Sequence, residues 1–323
     1  MASAAALSLP QDLLVKIVFL IPDWPSVTAL LQALRPAYVL GPLESLWQLY
    51  FQLKWRVEHL WPRLDLTKLD AASCTHVEGI VKYYAQVTVN SKMDVAWFRQ
   101  FGHPTTSIRW DGPIDALNEW KSFRITSLTN RLDYDQLVQA FQVLPYLEVF
   151  NRSNSNPRIA AIIFQFAASS SSLCHLEISN EFDLLRKNYC TITTNMAQDI
   201  IAWGRSCPVR VFQMRHFAWE SPNLRDEVLR AVLNNPTLHV FNFCEEDDET
   251  LLTFEAVYDR SNRRLTLSYS GGYGSSNVED DYLAGYLGLV RHLIATEIRE
   301  LSLMLLDSVT FSKMWTAMTP LLQ

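Results

Sequence analysis

One recurring spacing restricts the fold more than any other feature of the chain. An apolar-x-x-apolar-x-apolar run, followed by a polar turn and a helical stretch, appears at Trp120/Phe123/Ile125, Leu173/Leu176/Ile178, Val209/Phe212/Met214, Leu238/Phe241/Phe243 and Ile298/Leu301/Leu303. Weaker copies stand at Leu147/Phe150/Arg152 and Arg264/Leu267/Tyr269. Successive middle residues lie roughly 30 positions apart, the length of one supersecondary unit in a repeat protein. Helix-like segments fill the intervals, at 134–144, 158–168, 195–203, 223–233 and 281–294. Pro145, Pro208 and Pro236 each precede a strand, where a helix has to stop. A unit of strand, turn and helix cannot bury both of its faces alone, so neighbours must stack. The fold class expected is therefore α/β, with an array of such units over residues 120–323.

The N-terminal part has a different texture. Residues 1–8 are Ala/Ser-rich and are expected to be disordered. Apolar residues at Leu13, Leu14, Ile17, Val18 and Ile21 share one helical face. Pro10 suits a first-turn position, Asp12 favours the helix start, and Pro22 stops the helix. Two more short helices are predicted at 26–34 and 43–53, so residues 9–53 make a three-helix module. Residues 54–119 are read as a connecting or capping region with strands at 81–89 and 107–110. Trp55, Trp61, Trp97, Trp110 and Trp120 lie in or beside it, and so much aromatic surface is not left in water.

Composition excludes several functions. Lys plus Arg number 28 against 34 for Asp plus Glu, a formal charge of −6, with no basic excess to neutralise phosphates. Nucleic acid is therefore not the expected partner. No apolar run approaches the roughly 20 residues of a membrane span, and no membrane partner is expected. The five cysteines show no CxxC pairing, and the N-terminus lacks the basic region of a secretory signal. Buried thiols in a reducing compartment, cytoplasmic or nuclear, are the expectation.

Chemistry-bearing motifs are missing. The chain has no G-x-S-x-G elbow, no H-E-x-x-H and no phosphate loop. The Gly-rich stretch at 271–276 lacks a lysine and reads as a loop, and the acidic run 245–249 reads as a solvated turn. The histidines show no metal-ligand spacing. A non-catalytic protein without cofactor or metal is expected.

Leu9, Pro10, Asp12, Leu13, Leu14, Ile17, Ile21 and Pro22 together resemble the opening of an F-box, the adaptor-binding module of SCF ubiquitin ligases. The array behind it is similar to the leucine-rich repeats of F-box/LRR proteins, whose units often begin with Cys-Pro or Asn-Pro. Here those dipeptides are Cys207-Pro208 and Asn235-Pro236. Ala33 to Ala37 stand where an F-box usually carries a Val-Cys-x-x-Trp-type segment. Glu181, Phe217, Glu246 and Leu306 stand where repeats normally turn on Asn or Cys, so an irregular leucine-rich-repeat-like solenoid is implied.

The resemblance implies a substrate-recognition subunit. A Skp-type adaptor of a cullin ligase would bind residues 9–53, and a target protein would bind the concave strand face. Arg124, His175, Glu177, Gln213, Arg215, Asn242 and Glu300 are the candidate target-binding residues. The alternative is a non-catalytic α/β repeat scaffold whose first helices cap the array. A cap would hide Leu13, Ile17 and Ile21, whereas an adaptor-binding helix must leave part of that stripe exposed. The sequence ends at Pro320–Gln323 without a polar capping unit, so the array is expected to be incomplete there.

Overall fold

A computed structural model describes residues 10–37, 40–128, 132–153, 156–180, 190–247, 252–270 and 300–305. The chain divides into two units, residues 1–130 and 131–323. No helix among the described residues is long and apolar enough to cross a membrane.

The first unit begins with α1 (Gln11–Leu20), α2 (Trp24–Leu34) and α3 (Leu43–Trp47), the last continued by a π-turn over Gln48–Gln52. Asp23 accepts a hydrogen bond from the Ser26 amide at 2.8 Å, and Pro25 occupies the first turn, so α2 starts where its sequence provides a cap. Then follow α4 (Val57–Leu60), β1 (Leu64–Asp65), α5 (Cys74–Ile80), β2 (Gln86–Val89), α6 (Val95–Phe101), β3 (Ser107–Trp110), α7 (Leu117–Trp120) and β4 (Ile125–Leu128). The four strands pair in parallel, with Leu64 beside Val87, Val87 beside Ile108 and Ile108 beside Ile125.

Strand pairing in this unit thus starts at Leu64, within the stretch read as a connector. β2 and β3 fall within the strands expected at 81–89 and 107–110, whereas the two-residue β1 was not anticipated. The copy at Trp120/Phe123/Ile125 is also displaced. Trp120 ends α7 and the strand opens only at Ile125, after a turn.

The second unit alternates longer elements: α8 (Tyr134–Val143), β5 (Val149–Arg152), α9 (Pro157–Ser169), β6 (His175–Ser179), β7 (Cys190–Ile192), α10 (Thr194–Ser206), β8 (Val211–Arg215), β9 (Phe217–Trp219) and α11 (Pro222–Leu233). The helices begin on side-chain oxygens, those of Asp133, Asn156, Thr193 and Ser221. On α9 the buried residues Ile159, Ala160, Ile163, Phe164 and Ala167 form one stripe at helical spacing. β5, β6, β8 and β10 (Val240–Asp247) pair in parallel, and β7 pairs with β9 in a separate parallel ribbon.

Beyond β10 the expected strand-turn-helix grammar breaks. β11 (Leu252–Asp259) returns antiparallel along β10, and β12 (Arg264–Ser270) antiparallel along β11. β13 (Glu300–Leu305) then pairs in parallel with β12. Residues 245–247 therefore belong to a strand rather than to a turn, because each finds a partner on β11. In β12 the register sets Leu265 beside Leu301 and Leu267 beside Leu303, two residues off the predicted Arg264/Leu267/Tyr269 phase, which would have set Leu267 beside Leu301. The Gly-rich 271–276 stretch and the predicted helix at 281–294 lie outside the described residues. The class of the fold is mixed α/β with a mostly parallel sheet.

Candidate functional site

Two surfaces carry the predicted residues. The first is α1. Leu14, Val15 and Val18 are buried, whereas Leu13 is 45%, Ile17 39% and Leu20 82% exposed. Positions 13, 17 and 20 follow i, i+4 and i+7, so these side chains form one solvent-facing apolar stripe. Pro10 leads into the helix, its carbonyl accepting from the amides of Leu13 and Leu14 at 2.9 and 3.1 Å. Asp12 lies in the exposed first turn, and Pro22 is exposed after the last. Ile21 is half-buried, and its carbonyl accepts from the Trp61 indole at 3.1 Å. Leu9 lies outside the described residues. Leu14 thus differs from the prediction by facing inward, while Leu20 joins the stripe without having been singled out.

The second surface is the strand face of the second unit. Pairing aligns Asn151, Glu177, Gln213 and Asn242 in one row across β5, β6, β8 and β10. Ser179, Arg215 and Cys244 form the next row toward the strands' C-terminal ends. At those ends lies a groove of about 310 Å³ lined by Asn151, Arg152, Ser153, Glu177, Ile178, Ser179, Gln213 and Arg215. Glu177 Oε1 is 2.5 Å from His175 Nε2 and accepts from Gln213 Nε2 at 3.4 Å. Arg152 Nη1 donates to the Leu132 carbonyl at 2.6 Å.

The structure places His175, Glu177, Gln213 and Arg215 close together on this face. Three other candidates behave differently. Arg124 precedes β4 in the first unit, exposed and outside the groove's lining, because the strand opens later than its apolar pattern implied. Asn242 keeps its place in the row but is only 7% exposed, and its Oδ1 is enclosed without a hydrogen-bond partner. The row runs on into Val257 of β11, a strand the sequence pattern did not disclose. Glu300 opens β13 beside Arg264, and its side chain lies outside the described residues.

The groove also contains Arg152 and Ser153, which went unrecognised. Their signal was present: Arg152 occupies an apolar slot of the repeat, and a cation there has to find polar company. A second hollow, in the first unit, is lined by Tyr50, Phe51, Lys54, Trp55, Arg56, Val57 and Glu58. Lys54 sits there at φ 57° and Arg56 pairs with Glu58 at 3.6 Å.

The cysteines are free, four of them buried and Cys74 half-buried. Burial pushes the Cys190 thiol up to about 12, so it packs as a small apolar group. Among the described residues no cluster of three or more His, Cys, Asp or Glu could hold a metal ion.

No protein-family model matches the chain, and no curated protein matches it in sequence. Among solved structures, the tropomodulin C-terminal domain from Caenorhabditis elegans is similar over 59% of this chain and 94% of that one. The identity is 12% and the TM-score 0.31, too slight a likeness to assign a family.

Proposed function

We propose that this chain is the substrate-recognition subunit of an SCF-type ubiquitin ligase. In this reading residues 9–53 form an F-box-like module that holds a Skp-type adaptor. The strand face of the second unit, read as an irregular leucine-rich-repeat-like array, receives the target protein. The chain contributes no chemistry of its own; it positions a target for modification elsewhere. A cytosolic or nuclear location goes with that role.

The observation that carries the reading is the outward stripe of Leu13, Ile17 and Leu20. A helix that only closed the fold would turn its whole apolar face inward, as Leu14, Val15 and Val18 do. A second apolar stripe on the same helix offers a partner surface to bury, read at helical spacing.

Co-expression with the host's Skp-type adaptor, followed by size-exclusion chromatography, tests this. Leu13→Asp with Ile17→Asp should abolish a stoichiometric complex while leaving the fold intact, because both side chains already face solvent. If the intact, folded chain elutes alone, the ligase role is lost and the non-catalytic scaffold reading replaces it.

A further inference from the structure

The hollow after α3 is lined by three aromatic side chains, Tyr50, Phe51 and Trp55. Tyr50 meets Phe51 edge-on at 4.7 Å and Trp24 at 4.9 Å, and Phe51 stacks on Trp47 at 3.8 Å, centroid to centroid. Core contacts thus fix two of the rings before any ligand arrives. Trp55 reaches the same hollow through the turn that ends the π-turn: its amide donates to the Leu49 carbonyl at 2.9 Å, and Lys54 ahead of it is left-handed at φ 57°. Glycine usually takes that position, because a Cβ is crowded there. Tyr50 and Trp55 are half-buried, and among the described residues neither the Tyr50 hydroxyl nor the Trp55 indole N–H has a hydrogen-bond partner. Both stay open to solvent, unlike the indole nitrogens of Trp24 and Trp47, which are enclosed.

Half-buried rings with open donors suit an extended proline-rich chain. A polyproline II helix has no internal hydrogen bonds, so its carbonyls need outside donors, and aromatic-lined grooves receive its rings. Its stiffness also lowers the entropy lost on binding. At about 530 Å³ the hollow holds a short extended stretch rather than a folded element. Its charged rim is Lys54, Arg56 and Glu58. Arg56 pairs with Glu58 at 3.6 Å, whereas the exposed Lys54 ammonium has no partner among the described residues. The spare charge is positive, which favours an acidic residue beside the prolines and opposes a methylated cation between the rings. We propose that this hollow binds a proline-rich polyproline II segment of a partner protein, with an acidic residue of that segment set against Lys54. The site is separate from the adaptor surface, since none of its residues belongs to the α1 stripe.

The test is fluorescence polarisation of the full chain with three labelled peptides, Pro-Pro-Pro-Pro-Asp, Ala-Ala-Ala-Ala-Asp and Pro-Pro-Pro-Pro-Lys. The first should bind at least about tenfold more tightly than its alanine counterpart. It should exceed the lysine peptide by about threefold, an advantage that shrinks as salt rises. Trp55→Ala should bring the proline and alanine peptides level. Trp55→Phe keeps a ring and removes the N–H donor, so it should retain part of the proline advantage; it serves as the independent variant should Trp55→Ala fail to fold. Lys54→Glu alters an exposed side chain and should reverse the preference between the Asp and Lys endings.

Equal binding of the proline and alanine peptides overturns the proposal. So does a proline advantage that survives Trp55→Ala, or is undiminished by Trp55→Phe, in a folded chain. Tighter binding of a trimethyllysine peptide of the same length would make the rings a cage for a cation, and it too overturns the proposal. A concentration-dependent dimer that Trp55→Ala dissolves would give the hollow to a second copy of this chain, with the same consequence. An Asp preference untouched by Lys54→Glu overturns the acidic half of the assignment. Each of these failures leaves the adaptor reading standing, since that is read separately on the α1 stripe.

Discussion

The two units cover their strands by different means. In the first, α5, α6 and α7 have seven, seven and four residues, too short to present a long apolar stripe. Large rings cover the strands instead: Trp120 lies 5.5 Å from Phe98, 5.7 Å from Trp110 and 5.3 Å from Phe123, centroid to centroid. Phe19, Trp61 and Tyr84 make a second cluster of the same kind. In the second unit α8 to α11 run for 10 to 13 residues and cover the sheet with aliphatic stripes. Strand-helix alternation therefore tolerates a trade between helix length and ring size, because a buried aromatic side chain removes about 150–250 Å² from water.

The largest expected effects test that trade. Trp120→Ala in the first unit and Trp203→Ala in the second each empty a fully buried ring site, at a cost of about 3–5 kcal/mol. Trp203→Ala should be the worse of the two, since the Trp203 indole also donates to the Leu173 carbonyl at 2.8 Å. Chemical denaturation gives the two values. A Trp120→Ala cost below about 1 kcal/mol, far under the usual ring-to-alanine range, would show that the rings do not form the first unit's core.

This difference also decides what could be read in advance. The helices of the second unit were legible because each has a capping oxygen and enough turns to display its period. β5, β6, β8 and β10 were legible in register because Phe150, Leu176, Phe212 and Phe241 align in the row that the repeat pattern marks. β2 and β3 were legible from their β-branched and aromatic content, whereas β1 was obscure since two residues show no alternation. β11 was missed because a hairpin returned where a helix was due. Of the α1 stripe, Leu13 and Ile17 were legible and Leu20 was not, because amphipathic spacing does not say which of two adjoining apolar faces turns outward. The groove was half legible: alternation located Glu177, Gln213 and Arg215, whereas Arg152 was concealed by its place in an apolar slot.

A smaller effect separates the ways the two units tie their elements. In the second, Asn235 is buried and donates through Nδ2 to the carbonyls of Gly204 and Cys207, at 2.8 and 2.6 Å, while Oδ1 accepts from the Thr237 amide. The Asn-Pro dipeptide thus fastens the end of α11 to the end of α10. Asn235→Ala should cost about 2–3 kcal/mol, because the bonded carbonyls stay buried without their donor. The first unit's counterpart is the Trp61 indole on the Ile21 carbonyl. Trp61→Phe keeps most of the ring and removes that donor, at about 1 kcal/mol. Equal costs would mean that the amide tie carries no more than the indole tie.

The smallest effect is a difference in response to acid. Hydrogen bonds from the Ser26 backbone, and then its side chain, hold the Asp23 carboxyl below its ordinary value of 3.8. A carboxyl depressed on folding stabilises the folded state above its unfolded value, and that contribution is lost as pH falls through the folded one. α9, α10 and α11 begin on Asn156, Thr193 and Ser221, caps that do not titrate in this range. On α10, burial raises Asp199 instead, so protonating it in acid favours the folded state. Asp23→Ser supplies a neutral cap at the start of α2. Its melting temperature should lie slightly below that of the parent chain at neutral pH and draw level with it once the pH is well below 3.8. A gap that stays constant across that range would mean that Asp23 caps α2 by shape alone, leaving the start of α2 no more sensitive to acid than the starts of α9 to α11.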